Sequence, residues 1–151
     1  MLKIGIAADH AGFELKKYLI ERLHANGYEV VDFGNTQLDF NDDYPDYVVP
    51  LAKAIVNKNV THGIAVCGSG VGACIVANKI SGIRACLIHE RFSAKQGVED
   101  DDMNMICLGG RVVDNALAWE LTEIFINAKY TGAERHERRL AKMRTIENDK
   151  K

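Results

Sequence analysis

The sequence predicts an α/β protein, a three-layer αβα sandwich around a Rossmann-like five-stranded parallel sheet. Three observations point there. Short apolar runs alternate with stretches of helical period. Strands that alternate with helices pair in parallel through right-handed crossovers. A length of 151 residues suits one domain, 1–151, large enough to bury a core without staples.

The elements follow in order. Residues 2–8 and 28–33 read as strands, and 62–67, 83–88 and 104–108 read the same way. The first helix spans about 11–26. Leu15, Leu19 and Leu23 mark one face of it, and Gly27 supplies a left-handed stop. Further helices fit about 46–59, 71–80, 91–97, 114–130 and 135–147. In the fifth helix Leu117, Leu121, Ile124, Phe125 and Ala128 form one stripe. The segment 34–46 is the longest polar loop. Ligands on such sheets bind beyond the carboxyl ends of the strands.

Charge and composition exclude several functions. With 19 Lys/Arg against 21 Asp/Glu the net charge is −2, which argues against a general nucleic-acid binder. No apolar run reaches the roughly 18 residues of a membrane span, and the strand-like start shows no signal peptide. The cysteines at 67, 74, 86 and 107 form no Cys-x-x-Cys pair, so no metal site is expected. Cys74, Cys86 and Cys107 read as core, and free thiols suggest a reducing cytoplasm. The last 22 residues are basic, with seven Lys/Arg against four Asp/Glu. Leu140, Met143 and Ile146 keep them helical.

The strongest local signal is Cys67-Gly68-Ser69-Gly70-Val71-Gly72, at the junction of the third strand and third helix. Alternating glycines let bare backbone N–H groups face an oxyanion or phosphate, and a helix N-terminus adds partial positive charge. Two readings compete. Gly68 to Ala73 also fits the dinucleotide pattern G-x-G-x-x-[GA], with Glu90 placed like a ribose-binding acid. That would make the chain a non-catalytic nucleotide- or sugar-phosphate-binding module. Against it, the motif follows the third strand, and too little chain remains for a second half. The other reading centres on Cys67. A thiol beside free amides at a helix mouth can ionise and act as general base or nucleophile.

Asp9-His10 holds the equivalent place after the first strand. The pair could handle hydroxyl protons or hold phosphate, or merely cap the helix. Arg135 and Arg139 share a helix face, and Arg111 follows Gly109-Gly110 just after the fifth strand. Guanidinium forks suit phosphate, although taken alone the pair reads more simply as a solvated helix face beside Glu134, Glu137 and Arg138. The run Glu99-Asp100-Asp101-Asp102 is an acidic loop or a ligand-contacting rim. His24, His62 and His89 have no evident partner.

Taken in order, Asp9-His10, Asp43-Tyr44-Pro45, Cys67 to Gly72, Ala77-Asn78-Lys79, Gly82-Ile83-Arg84-Ala85 and Arg135-His136 form a pattern that covers nearly the whole chain. It resembles the ribose-5-phosphate isomerase B / galactose-6-phosphate isomerase family. The resemblance implies interconversion of aldose and ketose phosphates through a cis-enediolate, without metal or nucleotide cofactor. It implies Cys67 as the base and the amides of Gly68, Gly70, Val71 and Gly72 around the enediolate oxygen. Ser69, Asp9, His10 and Tyr44 would contact the sugar phosphate. Arg111, Arg135 and Arg139 would clamp the phosphate. It also implies a dimer or tetramer, with the C-terminal helix reaching the neighbour's active site. The chain has one residue more than the family pattern between Gly132 and Arg135.

One departure bears on substrate. Ribose-5-phosphate isomerases of the family carry a ring-opening His followed by Asn before the fifth strand. Asp100 and Asp101 stand there. Either Asp100 takes over the acid/base role, its pKa raised by acidic neighbours, or the substrate needs no ring opening. Erythrose 4-phosphate cannot close a ring through its phosphorylated terminal oxygen. A hexose 6-phosphate is the other alternative to ribose 5-phosphate.

Overall fold

Alternation along the strands sets the layers. In the computed structural model, which describes residues 2–150, the strands are β1 (Lys3–Ala8), β2 (Glu29–Asp32), β3 (His62–Cys67), β4 (Ala85–Leu87) and β5 (Met105–Gly109). Ile4, Ile6, Ile64, Val66, Ile106 and Leu108 point to one face and are buried in one apolar cluster. Their neighbours Ala7, Ala65, Cys67, Met105 and Cys107 point to the other face, into a second cluster. Both faces are therefore covered, as parallel sheets require.

The helices divide accordingly. Helices α1 (Phe13–Ala25), α4 (Arg91–Asp101) and α5 (Asn115–Asn127) cover the first face through Leu15, Leu19, Leu23, Val98, Leu121 and Phe125. Helices α2 (Pro45–Val56) and α3 (Val71–Ala77) cover the second through Val48, Leu51, Ile55, Ala73 and Ala77. The last helix, α6 (Glu134–Asp149), packs on α4 and buries only His136 and Leu140. No described helix is long and apolar enough to cross a membrane.

All pairings are parallel, in the order β2-β1-β3-β5-β4. The chain leaves β1 for β2 on one side, then returns across it to β3. The carboxyl ends of β1 and β3 therefore flank the point where the winding reverses, the position at which open α/β sheets bind ligands. Asp9-His10 and Cys67 to Gly72 sit there.

Two expectations need correction. The fourth helix does not end at 97 but runs to Asp101. Gly97 stands there for space, since a Cβ would come 3.0 Å from Met103 Cε, and the stop is Asp102 in the left-handed region at φ 49°. Cys86 is not core. It lies exposed on β4, the three-residue edge strand, while Cys107 is buried on β5 and Cys74 is intermediate.

Candidate active site

The site grows from the ends of β1, β3 and β5. Asp9 follows β1 and caps a single 3-10 turn, His10–Gly12. Its Oδ1 accepts from the amides of Ala11 (3.0 Å) and Gly12 (3.2 Å). Capping thus holds Asp9 at the rim, and the two readings of that residue are compatible. Beside it β3 ends in Cys67, only 4% exposed. Cys67 Sγ accepts the Gly70 amide at 3.2 Å, so the thiol is held against the glycine turn. The Asp9 amide meets Val66 O at 3.3 Å, which ties the two strand ends together.

Two glycines in this turn leave no room for a side chain without a neighbour shifting. Gly70 takes φ 80°, and a Cβ would lie 2.9 Å from the backbone of Leu108. At Gly72 a Cβ would meet the Tyr44 ring at 2.5 Å, so Tyr44 closes over the turn. Gly70→Ala is expected to cost about 1–3 kcal/mol of stability, the range for overpacking. Urea unfolding measures it, and activity falls with it because the Cys67 contact moves.

Of the turn's amides, Gly70 donates to Cys67 and Val71 donates to Ser69 Oγ at 3.3 Å. Those of Gly68, Ser69 and Gly72 make no hydrogen bond among the described residues. They are the donors left for a developing oxyanion, a narrower set than Gly68 to Gly72 together. Arg111 comes from the turn after β5. Its amide donates to Gly68 O (3.0 Å), and its guanidinium reaches to the side of Gly68. One rim thus gathers Asp9, His10, Tyr44, Cys67, Ser69 and Arg111.

The other expected residues lie elsewhere in the chain. Helix α4 starts at the carboxyl rim and runs back, so Asp100 and Asp101 end it at the amino end of the sheet, just before β5. There Asp100 Oδ2 accepts from Gln96 Nε2 (2.8 Å), and its Oδ1 lies 3.4 Å from His136 Nε2. The buried His136 also contacts Thr131 Oγ1 through Nδ1 at 2.9 Å. These contacts anchor the start of α6 beside Asp100. Arg135 and Arg139 stand exposed on that helix. Among the described residues, Arg111, Arg135 and Arg139 have no carboxylate within salt-bridge distance.

Glu90 argues against the dinucleotide reading. It caps α4, accepting the Ser93 amide at 2.8 Å, and hydrogen bonding from the Ser93 side chain and amide holds its carboxyl below the usual range. One thiol away from this turn is perturbed. A hydrogen bond with Cys107 lowers the Cys74 pKa to about 6, and Cys107 is correspondingly raised. Cys74 faces Ala85 O and Asn78, away from the free amides.

Sequence reasoning missed Asp42 and Asn35, and it named His136 only as half of the Arg135-His136 pair, without a role. Asp42 Oδ1 accepts from His10 Nδ1 at 2.6 Å and from the His10 amide at 3.0 Å. Asn35 Nδ2 donates to its other oxygen at 2.7 Å. Ligand-type atoms of Asp9, His10 and Asp42 lie within 4.8 Å of one another. Asp9 Oδ1, His10 Nδ1 and Asp42 are already spent on hydrogen bonds, so the cluster reads as a bonded network and not as a metal site. The sequence signal for Asp42 was its place in the polar loop, two residues before Tyr44.

Residues 4–143 match the family described as Ribose/Galactose Isomerase. The chain belongs to this family. Ribose-5-phosphate isomerase B of Escherichia coli is 38% identical over 147 residues, covering 97% of each chain. D-erythrulose-4-phosphate isomerase of Pectobacterium atrosepticum is 38% identical over 132 residues, covering 87% of each. The solved ribose-5-phosphate isomerase B of Clostridium thermocellum superposes with a TM-score of 0.96. It is 37% identical and covers 99% of this chain and 100% of its own. Family membership bears out the α/β fold class and the reading as an aldose–ketose isomerase of sugar phosphates.

Proposed function

We propose that the protein interconverts an aldose phosphate and its ketose through a cis-enediolate, with Cys67 as the base. One observation carries this reading: a thiol pinned at a strand end, with three unpartnered amides beside it and the Asp9-His10 pair on the same rim. The thiolate takes the proton from C2 of the open-chain aldose. The electron pair of that C–H bond forms the C1–C2 double bond, and the carbonyl oxygen becomes an oxyanion. The amides of Gly68, Ser69 and Gly72 receive that charge. The C2 hydroxyl proton passes to the C1 oxyanion, and the thiol returns its proton to C1 as the C2 carbonyl forms, giving the ketose and restoring the thiolate. No metal or organic cofactor enters the scheme. Asp9 and His10 hold sugar hydroxyls and phosphate, Ser69 orients the sugar, and Tyr44 bounds the space above Gly72.

The site is completed by a second copy. Asp100, Asp101, Arg135 and Arg139 are clustered by the contacts of His136 but lie at the far end of the sheet from Cys67. An apolar fringe rims the Cys67 end, where Val71, Ile75, Leu87, Phe92 and Val112 are exposed. A partner covering that fringe could deliver its arginines to the phosphate. We therefore place the working unit as a homodimer or a tetramer. Four unpaired thiols suit a reducing cytoplasm.

The substrate is of the ribose 5-phosphate/ribulose 5-phosphate type. A second reading, erythrose 4-phosphate, rests on Asp100: a carboxylate bound to Gln96 and set against His136 occupies the position of the family's ring-opening histidine. A panel of phosphorylated four-, five- and six-carbon sugars, run in deuterated water, decides between them. Ribose 5-phosphate is expected to turn over with solvent deuterium entering the product. Faster turnover of the four-carbon sugar would move the assignment there. No turnover of any member would sink the isomerase reading.

A further inference from the structure

Loop 33–44 connects β2 to α2 and carries Asp42 to the rim. The Asp42 side chain is only 3% exposed, yet its two oxygens take three hydrogen bonds, two of them from His10. Its partner Asn35 is itself fixed. The Asn35 carbonyl accepts from the buried Lys16 Nζ at 2.6 Å, and the same ammonium is held by both oxygens of Asp32 at 2.7 and 2.8 Å. Asp32 Oδ1 also accepts the Gly34 amide at 2.8 Å. Each link in this run from α1 to the rim is hydrogen-bonded, and it ends on one imidazole nitrogen.

We propose that Asp42 is a positioning residue for His10. It fixes the ring so that Nδ1 carries a proton and Nε2, on the opposite edge, faces the sugar phosphate as the working nitrogen. The physical case is the tautomer rule: the hydrogen bond made by one ring nitrogen sets the state of the other. A buried carboxylate accepts only, so the nitrogen facing it must donate. Asp42 also holds the His10 amide, so ring and backbone are gripped by one oxygen. Lys16, Asp32 and Asn35 keep the carboxylate in place through its other oxygen. The long polar loop is thereby more than a rim for substrate, because it carries the support for a residue 32 positions earlier in the chain.

The proposal rests on the isomerase reading only for its kinetic arm. Asp42→Ala is expected to lower kcat/KM on the order of 10- to 100-fold, the scale of loss when a metal-bound histidine is deprived of its orienting carboxylate. In a His10→Gln background the same substitution is expected to change kcat/KM less than about 2-fold, since its effect passes through that ring. Asp42→Asn is expected to recover most of the loss. Its amide oxygen still accepts from Nδ1, and Asn35 can turn its unpartnered Oδ1 toward the new NH2 group. The independent arm is nitrogen-15 NMR of the His10 ring, assigned by its absence in His10→Gln. The wild type should show a protonated Nδ1, and Asp42→Ala should lose that signature while thermal unfolding stays cooperative. Equal losses from Asp42→Ala in both backgrounds, or an unprotonated Nδ1 in the wild type, would overturn the proposal. An inactive wild type with a protonated Nδ1 would count against the isomerase reading and leave the positioning role standing.

Discussion

Cys67→Ala will reduce isomerisation by about 10²–10⁴-fold, the contribution of a positioned general base. Solvent deuterium will no longer enter the product, because the proposed carrier of the C–H proton is gone. The fold should tolerate the change. Cys67 is buried in the cluster that faces α2 and α3, and alanine removes one sulfur and its contact with the Gly70 amide. Cys67→Ser sharpens the test, since a hydroxyl still accepts that amide but is far harder to ionise. It should unfold like the wild type and remain inactive. The competing thiol is Cys74, whose pKa is pulled to about 6 by its hydrogen bond with Cys107. It carries a thiolate above that pH, and alkylating reagents will find it there. Its neighbours are Ala85 O and Asn78, with no free amides to stabilise an oxyanion. Cys74→Ser should therefore keep turnover within a few-fold of wild type. Near-normal activity in Cys67→Ala, measured as aldose-to-ketose conversion, would remove the base from the scheme.

The parts of this site that were legible in the sequence are those whose geometry is local. Leu15, Leu19 and Leu23 fix a helix face by period alone, and a glycine run at a strand end fixes a turn within six residues. Cys67 and its amides could be located on those grounds. Asp9 was legible for the same reason, as the first residue past β1. His10 was legible as a place but not as a state, because Asp42 sits 32 residues away and reaches it only through the path of the loop. The contact of His136 with Asp100 spans α5 and has no periodic mark either. It depends on how α6 lies on α4, and that packing is set by tertiary fit. Arg135 and Arg139 could be placed on one face by their spacing, yet nothing in the spacing says which site they serve. Cys86 was misread because an apolar run looks the same on an edge strand as on a central one. The run Asp100-Asp101 was placed in an acidic loop or rim because the apolar period of the helix fades there, yet α4 runs on to Asp101.

Mixing two inactive variants will restore activity if the arginines act across the subunit boundary. Arg135→Ala/Arg139→Ala removes two charged donors, each worth about 1.5–3 kcal/mol to a phosphate oxygen, so kcat/KM should fall by at least about 10²-fold. Cys67→Ala is inactive for a different reason. In a dimer each site then draws its base from one chain and its arginine pair from the other. Random re-association of equal amounts makes half the dimers mixed. Every mixed dimer holds one site with an intact base and an intact clamp, and one site lacking both. Activity should therefore recover to about a quarter of the wild-type value, the share set by two-fold symmetry. If the arginines served their own chain, every site in the mixed dimer would lack one element and nothing would recover. Native mass spectrometry confirms that mixed dimers have formed, so silence in their presence would refute the shared site. The single-chain geometry favours recovery. Arg135 and Arg139 are unpaired cations at one end of the sheet, while Cys67 and the free amides stand at the other.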